Sequence, residues 1–228
     1  MKIKDLPQDQ RPREKAINNG IDTLSDQELL MVILGYGTKK QDVSKIANQI
    51  LKVSEGLVHF PNLSMERLME IEGIKLARAV TLSAILELSK RIYRAKAKNL
   101  NVIENPKTLT DWLIQEIGPA LQEQFMVVYL NVRQEILHHE ILFKGTLDRS
   151  LVHPREIFKK ALENNAAAMI VVHNHPAGSL VPSSADLAVT EKLIETSRLM
   201  EIVFLDHIIV TRNGFTSILN RFKSDTDR

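Results

Sequence analysis

No cysteine occurs among the 228 residues of this chain. That excludes disulfides, thiolate zinc knots and a cysteine nucleophile. Long apolar runs are also missing. The apolar run over residues 166–172 is far shorter than the roughly 20 residues a helix needs to span a bilayer. The N-terminal Met1-Lys2-Ile3-Lys4-Asp5-Leu6-Pro7 has no apolar centre and does not read as a secretory signal. These absences suit a reducing cytoplasm, so a soluble cytoplasmic protein without a membrane partner is the expectation. A large charge of one sign is absent too, the net charge being only +2. It is unevenly spread. Residues 1–100 hold 17 Lys+Arg against 12 Asp+Glu, a balance of +5, and the remainder holds 13 against 16, a balance of −3. A modestly basic first half is compatible with nucleic acid, and equally with a solvated surface.

What the chain does have is concentrated in one string, His173-Asn174-His175-Pro176-Ala177-Gly178-Ser179-Leu180-Val181-Pro182-Ser183-Ser184-Ala185-Asp186. The apolar stretch Ala168-Met169-Ile170-Val171-Val172 runs into it and reads as a buried strand. Strand side chains alternate, so His173 and His175 point to one side. Pro176 and Gly178 break the strand. Ser183 then opens a helix with Asp186 in its first turn, where a carboxylate comes back towards the imidazoles. Two nitrogens and one oxygen make the three protein ligands of an open zinc site, whose fourth position is left for water. Ser183-x-x-Asp186 also reads as a plain helix cap. A capping role does not exclude a ligand role.

The same string resembles the JAMM motif of MPN-type metalloproteases, and His-Asn-His-Pro followed by a small residue and Gly resembles the bacterial RadC family in particular. Gly145-Thr146-Leu147, Val152-His153-Pro154-Arg155-Glu156 and Leu205-Asp206-His207-Ile208-Ile209 fit that family, as do Arg11-Pro12-Arg13-Glu14-Lys15 and Leu24-Ser25-Asp26-Gln27-Glu28-Leu29-Leu30. Ala177 stands where the family usually has Ser, at a position that is not a ligand. The resemblance implies a mixed, partly antiparallel MPN sheet with flanking helices, and a zinc-dependent hydrolase acting on an amide or isopeptide bond through a metal-activated water. It implies a glutamate base at the start of an earlier strand. Glu123, ahead of Gln124-Phe125-Met126-Val127-Val128, is the candidate, with Glu135 and Glu140 as weaker ones. It also implies a serine near the oxyanion, here Ser183. Asp206 and His207 lie at a strand end, from which they could orient a ligand, and His207 reads equally as a satisfied buried histidine. His153, Arg155, His138 and His139 receive no role.

Two halves are expected. Residues 1–100 read as a small all-α domain: a capping box at Ser25 and Glu28, a helix over residues 41–52, a short one from Ser64, and a longer one over residues 77–92. Leu68 to Ala77 resembles a helix-hairpin-helix, the kind of turn that offers backbone N–H groups to a phosphate. Lys75 replaces the usual second glycine, which leaves Lys75 and Arg78 side chains as phosphate contacts, or a hairpin that only packs. Basic residues Lys90 to Lys98 lead towards a linker over residues 99–106. Residues 101–228 alternate strand and helix, which argues for one α/β domain. Expected elements are a helix over residues 109–117, a hairpin of residues 124–131 and 135–143, a helix over residues 154–163, the strand of the metal string, the Ser183 helix and a strand over residues 203–210. Three functions follow: a zinc hydrolase with a protein or peptide substrate, a DNA-associated protein guided by the helical half, and a metal-binding interaction protein without turnover.

Overall fold

The protein is described from a computed structural model, covering residues 6–98, 100–145 and 153–220. Thr146, Leu147 and Val152 of the family-like segments, the start of the N-terminal run, and Asn99 lie outside these residues. The chain divides into two compact units, Met1–Leu88 and Ser89–Arg228.

The first unit is helical. Its α-helices are α1 (Pro12–Asn19), α2 (Asp26–Leu34), α3 (Val43–Val53), α4 (Met65–Met69) and the first part of α5 (Leu76–Lys98). Helix α1 is polar along its length, which is why no periodicity announced it. Helix α2 starts as expected: Ser25 caps the Glu28 N–H while the Glu28 carboxylate accepts from the Ser25 backbone. Lys15 pairs with the same carboxylate at 2.9 Å and ties α1 to this start. Asp42 caps α3 and Ser64 caps α4. Leu30, Leu34, Ile46, Ile50, Leu68 and Leu82 form the core of this unit.

The second unit is a three-layer α/β structure. After the last turns of α5 come α6 (Pro106–Ile117), β1 (Gln124–Leu130), β2 (Ile136–Lys144), α7 (Pro154–Glu163), β3 (Ala168–Asn174), α8 (Ser184–Met200), β4 (Val203–Val210) and β5 (Phe215–Ser217). The sheet order is β2-β1-β3-β4-β5. Among the described strands only β3 and β4 run parallel, and the helix α8 makes the crossover that such a pair needs. The other neighbours are antiparallel. This is the mixed sheet expected from the metal string.

Strands β1 and β3 are buried on both faces. Alternate residues therefore serve two cores. Met126, Val128, Ile170 and Val172 pack with Trp112 and Leu113 of α6. Phe125, Val127, Met169 and Val171 pack with Ile157 of α7 and Leu193 of α8. Helix α5 runs six residues past its expected end. Ala97 is buried in the α6 core, and the Arg94 guanidinium holds Glu116 through two bonds, while Trp112 Nε1 donates to the same carboxylate at 3.0 Å. The basic tail is thus part of a packed helix. At the end of α6, a Cβ on Gly118 would lie 2.6 Å from the Thr211 carbonyl oxygen, so only glycine lets the helix end approach that backbone.

Candidate metal centre

The site lies where β3 ends. His173 is its penultimate residue, fully buried, and His175 follows the strand with 14 % of its side chain exposed. The pleat sends both imidazoles to the α7/α8 face. Asp186 arrives from the first turn of α8. Its Oδ1 is 3.2 Å from His173 Nε2 and its Oδ2 is 3.6 Å from His175 Nε2. The two Nε2 atoms are 2.9 Å apart, and the ligand atoms of all three residues lie within 4.8 Å of one another.

The remaining hydrogen bonds fix which nitrogens carry protons. Thr190 Oγ1 donates to the Asp186 carbonyl at 2.6 Å. Its only hydrogen is then spent, so it accepts from His207 Nδ1 at 2.6 Å. Burial pushes His207 well below the usual histidine range, with the neighbouring His173 imidazole acting the same way, so its ring is neutral. Neutral His207 Nε2 accepts from His173 Nδ1 at 2.8 Å. His175 Nδ1 donates to the Ser179 carbonyl at 2.8 Å. Both histidines thus donate from Nδ1, which leaves their Nε2 atoms, side by side with a carboxylate, as the atoms able to ligate. The donor set therefore fits a metal ion such as zinc, which takes imidazole nitrogen and carboxylate oxygen.

Ser183 is the N-cap of α8. Its Oγ donates to Asp186 Oδ2 at 2.6 Å and accepts from the Asp186 N–H at 3.2 Å, while its own N–H donates to Oδ2 at 2.7 Å. Burial raises the Asp186 carboxyl, but its hydrogen-bonding neighbours His173 and Ser183 outweigh it and hold the group below the usual carboxylate range. Cap and candidate ligand are here one residue pair.

Glu123 immediately precedes β1, half-buried, and its carbonyl accepts from the Gly145 N–H at 2.8 Å. Phe125 pairs with His173 across β1 and β3. Extending that register by two residues sets Glu123 opposite His175, on the face of the ligands. The segment is held by a residue the sequence reading passed over. Asn174, fully buried between the two histidines, points to the other face. It donates to the Ala120 and Gln122 carbonyls, each at 3.2 Å, and accepts from the Gln124 N–H at 2.7 Å. One side chain thus locks the Glu123 segment to the ligand strand. Phe125 lies beneath the site, its ring 6.5 Å from that of His173 and nearly parallel to it.

The weaker base candidates sit elsewhere. Glu135 lies at the hairpin end of β1, where Asn131 Nδ2 donates to it at 2.7 Å, about 20 Å along the strand from the ligand end. Glu140 is in mid-strand on the edge strand β2, facing Lys160. Asp206 and His207 separate in role. His207 touches His173, whereas Asp206 accepts from Ser217 Oγ and from the Leu219 N–H and secures β5. His139 packs edge-on against Trp112 and His138 stacks on Tyr129, so each has a packing role. His153 caps α7 without a side-chain bond, and Arg155 pairs with its neighbour Glu156. In the first unit Arg78 is engaged by backbone: its guanidinium donates to the carbonyls of Gly73, Tyr36 and Gly37. It holds the hairpin turn.

A three-layer mixed sheet carrying a His-x-His strand end and a capped aspartate defines a JAB/MPN-type domain behind a helical N-terminal region. Comparison with known proteins agrees. The RadC-like JAB domain matches residues 103–223, and the UPF0758 N-terminal domain matches residues 3–80. The UPF0758 protein of Bacillus licheniformis is 42% identical over 218 residues, covering 96% of this chain and 97% of its own. The UPF0758 protein of Geobacillus thermodenitrificans is 38% identical over 216 residues, covering 95% and 96%. The chain belongs to the RadC (UPF0758) family.

Proposed function

We propose that the protein is a zinc-dependent hydrolase of amide or isopeptide bonds. The observation that carries this is the convergence of His173 Nε2, His175 Nε2 and the Asp186 carboxylate, with both Nδ1 hydrogens already spent on His207 and Ser179. When bound there, zinc supplies a Lewis acid that polarises a carbonyl and lowers the pKa of a water. The protein's own groups do the rest. Glu123 takes the proton of the attacking water and returns it to the leaving amine, as a general base and then acid. Ser183 carries one hydroxyl hydrogen. It either stays on Asp186 or turns to the oxygen that gains charge, and donation to that oxygen is its catalytic use. His207 and Thr190 keep His173 in the ligating tautomer. Phe125 packs against both rings and keeps water off them.

The test is a panel of peptide and lysine-linked isopeptide substrates with zinc-loaded protein. Glu123→Gln is expected to keep its zinc and lose activity by roughly a hundred- to ten-thousand-fold. Near-full activity in Glu123→Gln, with loss in Glu140→Gln or Glu135→Gln, would move the base. Absence of turnover across the panel would leave a metal-binding protein without hydrolysis.

A further inference from the structure

The first unit holds a cavity of about 780 Å³ that hydrolysis does not use. Its wall comes from the start of α1, the end of α2 and the connection over residues 35–42 into α3. Five cations line it, Arg11, Arg13, Lys39, Lys40 and Lys45, against the carboxylates of Glu14 and Asp42. Asp42 is already committed, since it caps α3 by accepting from the Lys45 N–H at 2.9 Å. The cations sit on three different elements, and Arg13, Lys39, Lys40 and Lys45 are exposed. Charges spread in this way suit a chain of phosphates better than one compact anion.

The second observation is an aromatic platform on the same wall. Tyr36 is 77% exposed, unusual for so large a ring. It is also held. The Arg78 guanidinium lies 5.1 Å over the ring, and its Nη2 donates to the Tyr36 carbonyl at 2.6 Å and to the Gly37 carbonyl at 3.2 Å. The connection is tight: a Cβ on Gly37 would sit 2.4 Å from the Gln41 carbonyl oxygen, and Thr38 Oγ1 accepts from the N–H groups of Lys40 and Gln41. Lys39 and Lys40 therefore project from a fixed turn beside a fixed ring.

We propose that this cavity binds single-stranded nucleic acid, with phosphates on Arg13, Lys39, Lys40 and Lys45 and one base stacked on Tyr36. Cations beside a stacking aromatic are the means by which proteins hold single strands without reading sequence. A duplex hides its base faces and cannot use the ring. An acidic peptide would use the cations and leave the ring idle. The hairpin turn over residues 68–77 takes no part, because Arg78 serves as the brace of the platform.

The experiment is fluorescence anisotropy of a labelled 15-residue oligo-dT, and of oligo-rU, with full-length protein at 50 and 200 mM salt. Binding is expected to weaken about 50-fold between the two, as for about four phosphates on a single strand. Tyr36→Ala should weaken it by roughly five- to a hundredfold while Tyr36→Phe stays within about twofold. Lys39→Gln with Lys40→Gln should flatten the salt dependence. Tyr36 and the two lysines are exposed, so melting temperatures should be unchanged, and zinc content should be unchanged as well. The proposal is overturned by no binding at 50 mM salt, by equal affinity for a duplex of the same length, or by Tyr36→Ala binding as the parent does. In that last case displacement by poly-glutamate would identify an acidic-peptide surface.

Discussion

His207 has a fully buried ring with both nitrogens spoken for, by His173 on one side and Thr190 on the other. Its charged form is penalised first by burial and then by the His173 imidazole beside it. The sign of the pH effect follows. Above about pH 6.5 neither the folded nor the unfolded chain protonates this histidine. Below it the unfolded chain takes up a proton that the fold refuses, so stability is present above that pH and lost beneath it. Urea unfolding of metal-free protein is expected to lose up to about 1.4 kcal/mol per pH unit from this group as pH falls from 6.5. His207→Gln should remove that part of the slope, and identical slopes in the two proteins would contradict the assignment. The clustering of His173, His175 and Asp186 was legible in the sequence because their relation is local: two residues apart on a strand, then a cap. His207, Thr190 and Asn174 were not assigned. Their roles depend on β4 lying beside β3 and on the segment after α6 lying beside β1, and no short string records those pairings.

At the scale of elements, the N-terminus of α8 joins folding to chemistry. Ser183 and Asp186 close a capping box, and the same Asp186 carboxylate faces both histidines. Ser183→Ala is expected to cost about 1 kcal/mol of stability through the lost cap. It should also weaken zinc binding roughly tenfold or more, because the carboxylate loses a partner that orients it. Competition with a zinc chelator, read beside thermal melting, separates the two effects. A variant that melts lower but binds zinc like the parent would show a cap and nothing more. Strands β1 and β3 and the turn at Asn131 were readable from apolar runs and a turn residue. The turn closes because Asn131 Oδ1 accepts from the N–H groups of Arg133 and Glu135. The length of α5 was not readable. Its last turns are polar in sequence and are kept helical by partners on α6, the Arg94–Glu116 pair and the buried Ala97. Glu123 came from family resemblance alone, since a half-buried glutamate before a strand has no local signature.

The whole chain is two units with separate cores, one of helices and one built around the sheet. Among the described residues, the members of both sheet cores, Tyr93, Ala97 and Val102 included, lie within residues 89–228. A fragment of residues 89–228 is expected to unfold cooperatively and to bind zinc. One starting at residue 105 loses Ala97, Val102 and the Arg94–Glu116 pair, and should be less stable by several kcal/mol. Equal stability of the two fragments in urea would show that the end of α5 contributes nothing to the second core. The central claim is that three side chains hold one metal ion, and elemental analysis tests it most directly. Protein purified without added metal, then equilibrated with zinc and freed of excess, is expected to hold about one zinc per chain, with little left when His173→Ala and His175→Ala are combined. Undiminished zinc in that double variant would contradict it.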